Sequence, residues 1–189
     1  MNRTVPVLIC ALVAGAAAAH EGGWRDDYGR GRNQAFGSGA YAGFSIGQLR
    51  YSEEGLDTIT PATGMFVIGA PLSPNLALEA RIGVGLGRAE TNTYGVRVNS
   101  LYAGYLKGSL PLSPGFALYG LGGVAGVDLK RDFGLIEAHD TGFSYGLGVD
   151  FDLAGNSRLN VEWVRLATGN NLGYDYHVDQ ASIGVVWRF

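Results

Sequence analysis

The feature that most constrains the fold of this chain is a strict alternation of side-chain character over Gly142–Leu153. The apolar residues of this segment occupy every second position: Phe143, Tyr145, Leu147, Val149, Phe151 and Leu153. The residues between them are glycine, serine or aspartate. Because successive side chains of a strand point to opposite faces, the segment is predicted to be a strand with one broad apolar face. Leu76–Gly87 and Ile183–Phe189 alternate in a similar way.

The second face of these strands distinguishes the chain from a soluble β-sandwich. A sandwich buries its apolar face and tolerates long polar side chains on the face exposed to water. Here the second face carries mostly Gly, Ser and Ala with single charges, and small side chains suit the inside of a narrow closed barrel. Alternating segments of about ten residues, separated by turns, are typical of transmembrane β-barrels. The pattern therefore predicts lipid against the apolar face and a narrow lumen behind the other.

An internal repeat indicates how the strands are connected. Pro71–Leu78 recurs as Pro111–Leu118, forty positions later, and each repeat is predicted to hold two antiparallel strands, a loop and a tight turn. The eight predicted strands are Tyr41–Tyr51, Gly64–Leu72, Leu76–Gly87, Val96–Leu110, Phe116–Asp128, Thr141–Leu153, Arg158–Leu166 and His177–Phe189. The longer polar segments predicted between them are Ser52–Thr63, Arg88–Gly95, Leu129–Asp140 and Ala167–Tyr176. The fifth strand contains Gly122–Gly123, a candidate bulge that would switch its faces.

The first residues of the chain have the pattern of a secretory signal peptide over residues 1–19. Arg3 precedes an apolar run, Val5–Val13, and small residues follow at Ala16–Ala19. A polar, glycine-rich leader is predicted over residues 20–39, and the barrel over residues 40–189. Cys10, the single cysteine, lies in the predicted signal peptide, so no disulfide is expected. The formal net charge of −3 argues against a protein that binds nucleic acid.

Several short motifs then resemble a known family. They are Tyr41-Ala42-Gly43, Leu78-Glu79, Lys107 shortly before Pro111, Val161-Glu162-Trp163, and the terminal Trp187-Arg188-Phe189. Their order and spacing resemble the eight-stranded outer-membrane barrels of Gram-negative bacteria, which include the barrel domain of outer-membrane protein A and the opacity-type surface proteins. The resemblance implies an all-β, eight-stranded antiparallel up-and-down transmembrane barrel in the cell outer membrane. It also implies contact with outer-membrane lipid and lipopolysaccharide.

The end of the chain resembles the signal that the outer-membrane assembly machinery reads. Four apolar residues alternate there, and the last is aromatic with a second aromatic two positions before it. These residues are Ile183, Val185, Trp187 and Phe189. The resemblance implies that the assembly machinery is a partner of the chain.

Charged residues on the small-residue face are the candidates for function. By alternation, five charged side chains are predicted to face the lumen: Glu79, Arg81, Lys107, Asp150 and Glu162. Unlike charges in a narrow lumen neutralise one another only if they are paired. In the resembling barrel, residues at the positions of Glu79, Lys107 and Asp150 form ion pairs that obstruct the lumen. The alternative is that these side chains only fill and hydrate the interior.

The sequence favours a structural and surface-interaction role that is adhesin-like, with an extracellular ligand of unknown identity bound through the loops. Two alternatives remain: a narrow porin-like channel, and an acyl hydrolase that modifies lipid A. Such a hydrolase uses a serine activated by a nearby histidine, yet no His-x-Ser occurs, and Ser182 is predicted to face away from His177 and Asp179. The sequence contains no cluster of His or Cys that would suggest a metal site. No enzymatic activity and no cofactor are therefore expected.

Overall fold

The computed structural model of the chain describes residues 39–53, 60–90, 95–131, 137–153, 156–171 and 174–189. The predicted signal peptide, residues 1–19, and the leader up to residue 38 lie outside the described residues. No helix in the described part of the chain is long and apolar enough to cross a membrane.

Eight antiparallel strands make up the fold. They are β1 (Tyr41–Glu53), β2 (Ala62–Ser73), β3 (Leu76–Gly85, continued by Arg88–Glu90), β4 (Gly95–Ser113), β5 (Phe116–Arg131), β6 (Glu137–Asp152), β7 (Ser157–Asn171) and β8 (Tyr174–Arg188). Each strand pairs with the strands before and after it in the sequence. β8 returns to pair with β1 from Tyr41↔Arg188 to Glu53↔Tyr176, which closes the sheet. The predicted eight-stranded up-and-down barrel is confirmed.

The tight turns lie at one rim of the barrel, together with the first residue of β1 and the last residue of the chain. The turns between Ser73 and Leu76 and between Ser113 and Phe116 each join neighbouring strands. Gly115 has a φ of 82°, a backbone conformation that residues with a Cβ rarely adopt. The N–H of Phe189 donates a hydrogen bond of 3.1 Å to the carbonyl of Ala40 at the same end. The opposite end carries the other four connections, residues 54–61, 91–94, 132–136 and 172–173. It includes the two longest, and we refer to it as the end with the longer connections.

The two faces of the barrel wall differ as the alternation predicts. The exposed apolar side chains form the outer face and include Phe44, Ile82, Leu110, Phe143, Leu147 and Ile183. The inner face carries the small and polar side chains, among them Ser45, Thr63, Ser144 and Ser182, which are buried. In a membrane the outer face contacts lipid, because an apolar surface is more stable against lipid chains than against water.

Two details of the predicted strands are wrong. β5 pairs without a register shift through Gly122 and Gly123 on both of its neighbours, so no bulge lies there. Register shifts occur instead between Pro71 and Ser73, Val98 and Ser100, Pro111 and Ser113, and Arg165 and Ala167.

The ladder is also longer than predicted at the end with the longer connections. β5 and β6 leave residues 132–136 between them rather than Leu129–Asp140, and β7 and β8 leave 172–173 rather than Ala167–Tyr176. The physical reason is that alternation marks only the part of a strand that faces lipid. Beyond the membrane the outer face of a strand meets water, so it no longer needs to be apolar, while the hydrogen-bonded ladder continues.

Candidate functional site: the ion-paired lumen

Tyrosines in the wall reach across a glycine to a polar group two strands away. The ring of Tyr41 on β1 covers Gly69 on β2, and its hydroxyl donates a 2.7 Å hydrogen bond to Glu79 on β3. The ring of Tyr119 on β5 likewise covers Gly148 on β6 and donates a 2.9 Å hydrogen bond to Glu162 on β7. We call this arrangement of Tyr, Gly and hydrogen-bond partner on three successive strands a tyrosine bridge.

The glycine is essential in both of these bridges because no side chain fits between the ring and the wall. A Cβ at Gly69 would lie 2.1 Å from the Tyr41 ring, and one at Gly148 would lie 2.3 Å from the Tyr119 ring. An aromatic ring that lies flat over a glycine also shields its backbone. The bridges therefore fix the orientation of Glu79 and Glu162 before any cation is considered.

Two further tyrosine bridges end on hydroxyl groups. Tyr105 on β4 pairs with Gly123 on β5, and its hydroxyl lies 2.7 Å from that of Ser144 on β6. On the outer face, Tyr102 pairs with Gly126, and its hydroxyl lies 2.8 Å from that of Thr141.

Arg81 joins the two bridged glutamates in the middle of the lumen. Its Nη2 lies 2.6 Å and its Nε 3.0 Å from Oε2 of Glu79. Its Nη1 and Nη2 lie 2.5 Å and 3.1 Å from the two carboxylate oxygens of Glu162. Ser182 donates a further hydrogen bond of 3.3 Å to Glu162. Arginine presents its N–H groups in a planar fork that matches a carboxylate on two sides, so the three side chains form one rigid unit.

Lys107 extends the ion pairs from Glu79 to Asp150. Its Nζ lies 3.0 Å from Oδ2 of Asp150 and 3.6 Å from Oε1 of Glu79. Arg158 follows, with Nη1 3.6 Å from Asp150 and Nε 2.6 Å from Asp152. Asp152 is partly exposed, so the chain of charges reaches the rim of the barrel at the end with the short turns.

The five predicted residues all lie inside the barrel and belong to one network, but the prediction omitted a sixth. Arg158 is buried, and alternation from Glu162 along β7 could have identified it. With Arg158 included, three buried cations face three buried anions. These six are the charged side chains buried in the described part of the chain: Glu79, Arg81, Lys107, Asp150, Arg158 and Glu162.

Aromatic rings also stabilise the cations. The Arg81 guanidinium lies 5.0 Å from the centre of the Tyr105 ring, and Lys107 Nζ lies 3.8 Å from the centre of the Tyr119 ring. A cation over an aromatic face gains roughly 0.5–2 kcal/mol, with the larger value where water is excluded. The tyrosines were missed at the sequence level because alternation alone does not show which inward residues touch a charge.

The part of the lumen towards the longer connections is filled mainly by apolar side chains. They form one cluster that includes Leu49, Met65, Leu101, Leu121, Val127, Val164, Leu166 and Val178. A cavity of about 10 Å³ lies between this cluster and Arg81, with Gln180 also in its lining. That volume is about the minimum that holds a single water molecule.

The residues of the predicted C-terminal signal lie on the outer wall of β8 and just beyond it. Ile183, Trp187 and Phe189 are exposed to the membrane side, and Phe189 is 70% exposed. The Trp187 ring lies 5.8 Å from that of Phe44 on β1. The end of the chain therefore presents an apolar surface at the seam where the barrel closes.

The described residues contain no serine beside a histidine of the kind expected in an acyl hydrolase. Nε2 of His177 lies 3.9 Å from Asp179 on the outer wall, whereas Ser182 faces the lumen and donates to Glu162. The side chain of His139 lies outside the described residues. Within the described ranges, no group of three or more His, Cys, Asp or Glu side chains is placed to hold a metal ion.

Comparison with known proteins adds evidence on the family and on the fold. The sequence matches the family described as "Outer membrane protein beta-barrel domain" over residues 7–189. No curated protein is significantly similar to it in sequence.

Solved structures resemble the barrel at low sequence identity. Neisserial surface protein A, NspA, is 13% identical, with a TM-score of 0.65 over 80% of this chain and 98% of that chain. Ail, the attachment invasion locus protein of Yersinia pestis, is 17% identical, with a TM-score of 0.61 over 80% and 99%. OprG from Pseudomonas aeruginosa is 12% identical, with a TM-score of 0.53 over 80% and 96%. At these identities the likeness concerns the fold alone.

Proposed function

The chain belongs to the outer-membrane β-barrel family, and on this premise we propose that it anchors a surface-interaction module through a barrel whose lumen is closed. The family resemblance inferred from the sequence is confirmed. An outer-membrane barrel lies among lipid and lipopolysaccharide, with its short turns in the periplasm and its longer connections outside.

The closed lumen is supported by two parts of the interior. The balanced ion-pair network fills the periplasmic part, and the apolar cluster fills the part towards the longer connections. Eight strands leave an interior only wide enough for side chains. Here the interior is occupied by six paired charges, the rings of Tyr105 and Tyr119, and the apolar cluster. An ion entering from the periplasm would have to displace Arg81 or Lys107 from buried carboxylates. Breaking such a pair costs roughly 3–5 kcal/mol.

Planar-bilayer recording tests this proposal against the narrow-channel alternative. The refolded protein is expected to give no stable conductance steps. The charge-neutral double variant Glu79→Ala with Lys107→Ala empties part of the lumen and is expected to give small steps, provided that it still migrates as a folded barrel. Large, stable conductance from the unmodified protein would contradict the closed lumen.

We propose that the barrel has no acyl-hydrolase activity. The support for this is the separation described above, since Ser182 and the pair of His177 and Asp179 lie on opposite faces of β8. Mass spectrometry of lipid A from cells with and without the gene tests it. Identical acyl patterns are expected, whereas loss of an acyl chain only when the gene is present would establish the hydrolase alternative.

The extracellular extensions of the strands support the surface-interaction role. β4 contains 19 residues, while a strand needs only about 9–11 to cross the membrane. On this extension Arg88, Arg97 and Lys130 occupy facing positions on β3, β4 and β5. Lys130 also pairs with Glu137 on β6, so these four facing positions hold three cationic residues and one anionic residue. An excess of positive charge attracts an anionic ligand. Ail has been crystallised with the heparin analogue sucrose octasulfate. We assign an anionic surface polymer as the ligand of this chain.

Binding of sucrose octasulfate, measured by titration calorimetry, tests the ligand. The unmodified barrel is expected to bind it, and Arg97→Gln with Lys130→Gln is expected to weaken binding at least tenfold, a loss of about 1.4 kcal/mol. Arg188→Gln, a single arginine change at the periplasmic end, is the control and should bind like the unmodified protein. Equal binding by all three proteins would contradict the assignment.

The outer-membrane assembly machinery is the second proposed partner. The support is the exposed aromatic end of the chain beside the closing seam, where Trp187 lies against Phe44. An unpaired strand edge cannot be satisfied in lipid, so β8 must be delivered to β1 during insertion.

A further inference from the structure

Three charged residues share one rung on the outer wall of the barrel. Asp179 on β8 pairs with Arg50 on β1 and with Arg165 on β7. One rung closer to the periplasm, the outward residues are Gln48, Ala181 and Trp163. The charged rung therefore marks the point where the outer wall changes from mainly apolar to charged.

The height of this rung matches the outer boundary of the membrane. Asp179 lies ten residues before Phe189, which is roughly 33 Å along a strand at about 3.3 Å per residue. A strand tilt of about 40° reduces this to roughly 25 Å, the height of the apolar band of an outer-membrane barrel. With Phe189 at the periplasmic boundary, the rung lies at the level of the outer-leaflet headgroups.

The two guanidiniums on the rung are in different states. Arg165 is held by Asp179 through hydrogen bonds of 2.8 Å from Nε and 3.0 Å from Nη2, and its guanidinium lies 5.5 Å from the centre of the Trp163 ring. Arg50 is exposed and makes no hydrogen bond or ion pair within the described part of the chain. The rung thus holds two arginines and one carboxylate, which leaves it with a net positive charge at the edge of the lipid.

We propose that Arg50 and Arg165 bind a phosphate group of the outer-leaflet glycolipid, the lipid A of lipopolysaccharide. The planar fork of an arginine matches a phosphate, and the bond is stronger at a partly dehydrated interface than in water. Asp179 and Trp163 hold one fork in place, while Arg50 supplies the second across the same rung. The inference rests on the membrane placement in the proposed function and is independent of whether the lumen is closed.

Native mass spectrometry of the folded barrel in detergent, with added lipid A, tests the site. The unmodified protein is expected to retain bisphosphorylated lipid A. The double variant Arg50→Gln with Arg165→Gln should reduce the apparent affinity at least tenfold, because it removes the charge-assisted bonds to the phosphate. Arg188→Gln, at the other end of β8, is the matched control and should bind normally. Gel mobility of each variant with and without heating verifies that the barrel is folded.

Three results would overturn the inference. They are equal retention of lipid A by the double variant, equal retention of dephosphorylated lipid A by the unmodified protein, and equal retention of phosphatidylglycerol, which would indicate a site for any anionic lipid. A folded, non-conducting barrel that shows any of these results loses the lipid A site and keeps the proposed function. Stable conductance together with selective lipid A binding would contradict the closed lumen of the proposed function and leave the lipid A site supported.

Discussion

Replacing Arg81 by methionine removes the centre of the ion-pair network while keeping most of the side-chain volume. Arg81 makes four short contacts of 2.5–3.1 Å to Glu79 and Glu162. The variant leaves three buried carboxylates facing two cations. Removing one partner of a buried pair costs roughly 3–5 kcal/mol. Because urea unfolding typically has a slope of about 1–3 kcal/mol per molar, the midpoint should fall by at least about 1 M.

The assay is urea unfolding of the refolded protein in lipid vesicles, followed by the mobility of the unheated protein in SDS. Arg50→Met is the control, because Arg50 is exposed and surface changes usually alter stability by less than about 0.5 kcal/mol. Arg81→Met with Glu162→Met restores equal numbers of buried cations and anions, so it should be more stable than Arg81→Met alone. If Arg81→Met unfolds at the same urea concentration as Arg50→Met, the buried network does not stabilise the barrel and the reasoning fails.

Three further predictions concern the tyrosine bridges and the chain end. Gly148→Ala should destabilise the barrel by roughly 1–3 kcal/mol, because a Cβ there lies 2.3 Å from the Tyr119 ring. Gly122→Ala, with nothing within 4 Å, should be neutral in the same urea assay, and equal effects would refute the bridge. Tyr119→Phe should cost roughly 1–3 kcal/mol through the lost hydrogen bond to Glu162, and an unchanged midpoint would count against it. Deleting Phe189 should sharply lower outer-membrane levels on immunoblots while the purified variant still refolds in detergent; normal levels in cells would exclude an assembly signal.

The strands could be predicted because lipid and lumen require opposite chemistry on the two faces of each. The alternation of Phe143, Tyr145 and Leu147 with small residues is sufficient to give both the strand and its orientation. The ends of the strands outside the membrane could not be predicted in this way. There the ladder of β5 and β6 continues through Lys130↔Glu137, where charged residues occupy the paired positions and no apolar alternation marks the strands.

The site could be predicted in part for a similar reason. Parity along a strand places Glu79 and Arg81 in the lumen, but it does not show that Tyr41 crosses a glycine to reach Glu79. That contact depends on the register of three strands, Tyr41↔Gly69 and Gly69↔Glu79. Register between strands is a long-range property, whereas alternation is a local one. The glycines of the inner face therefore read only as small residues, although two of them support the rings that orient the network.

The exchange of guanidinium protons with water tests the closed, ion-paired lumen most directly. In the folded protein in bilayers or detergent, nuclear magnetic resonance can follow the Nε–H of Arg81, which donates to Glu79 at 3.0 Å in a buried site. The Nε–H of free arginine in the same buffer provides the reference for full contact with water. We predict that the Arg81 proton exchanges at least a hundredfold more slowly than this reference, a difference of about 2.7 kcal/mol in protection. Equal exchange rates would show that water enters the network freely and would contradict the closed lumen.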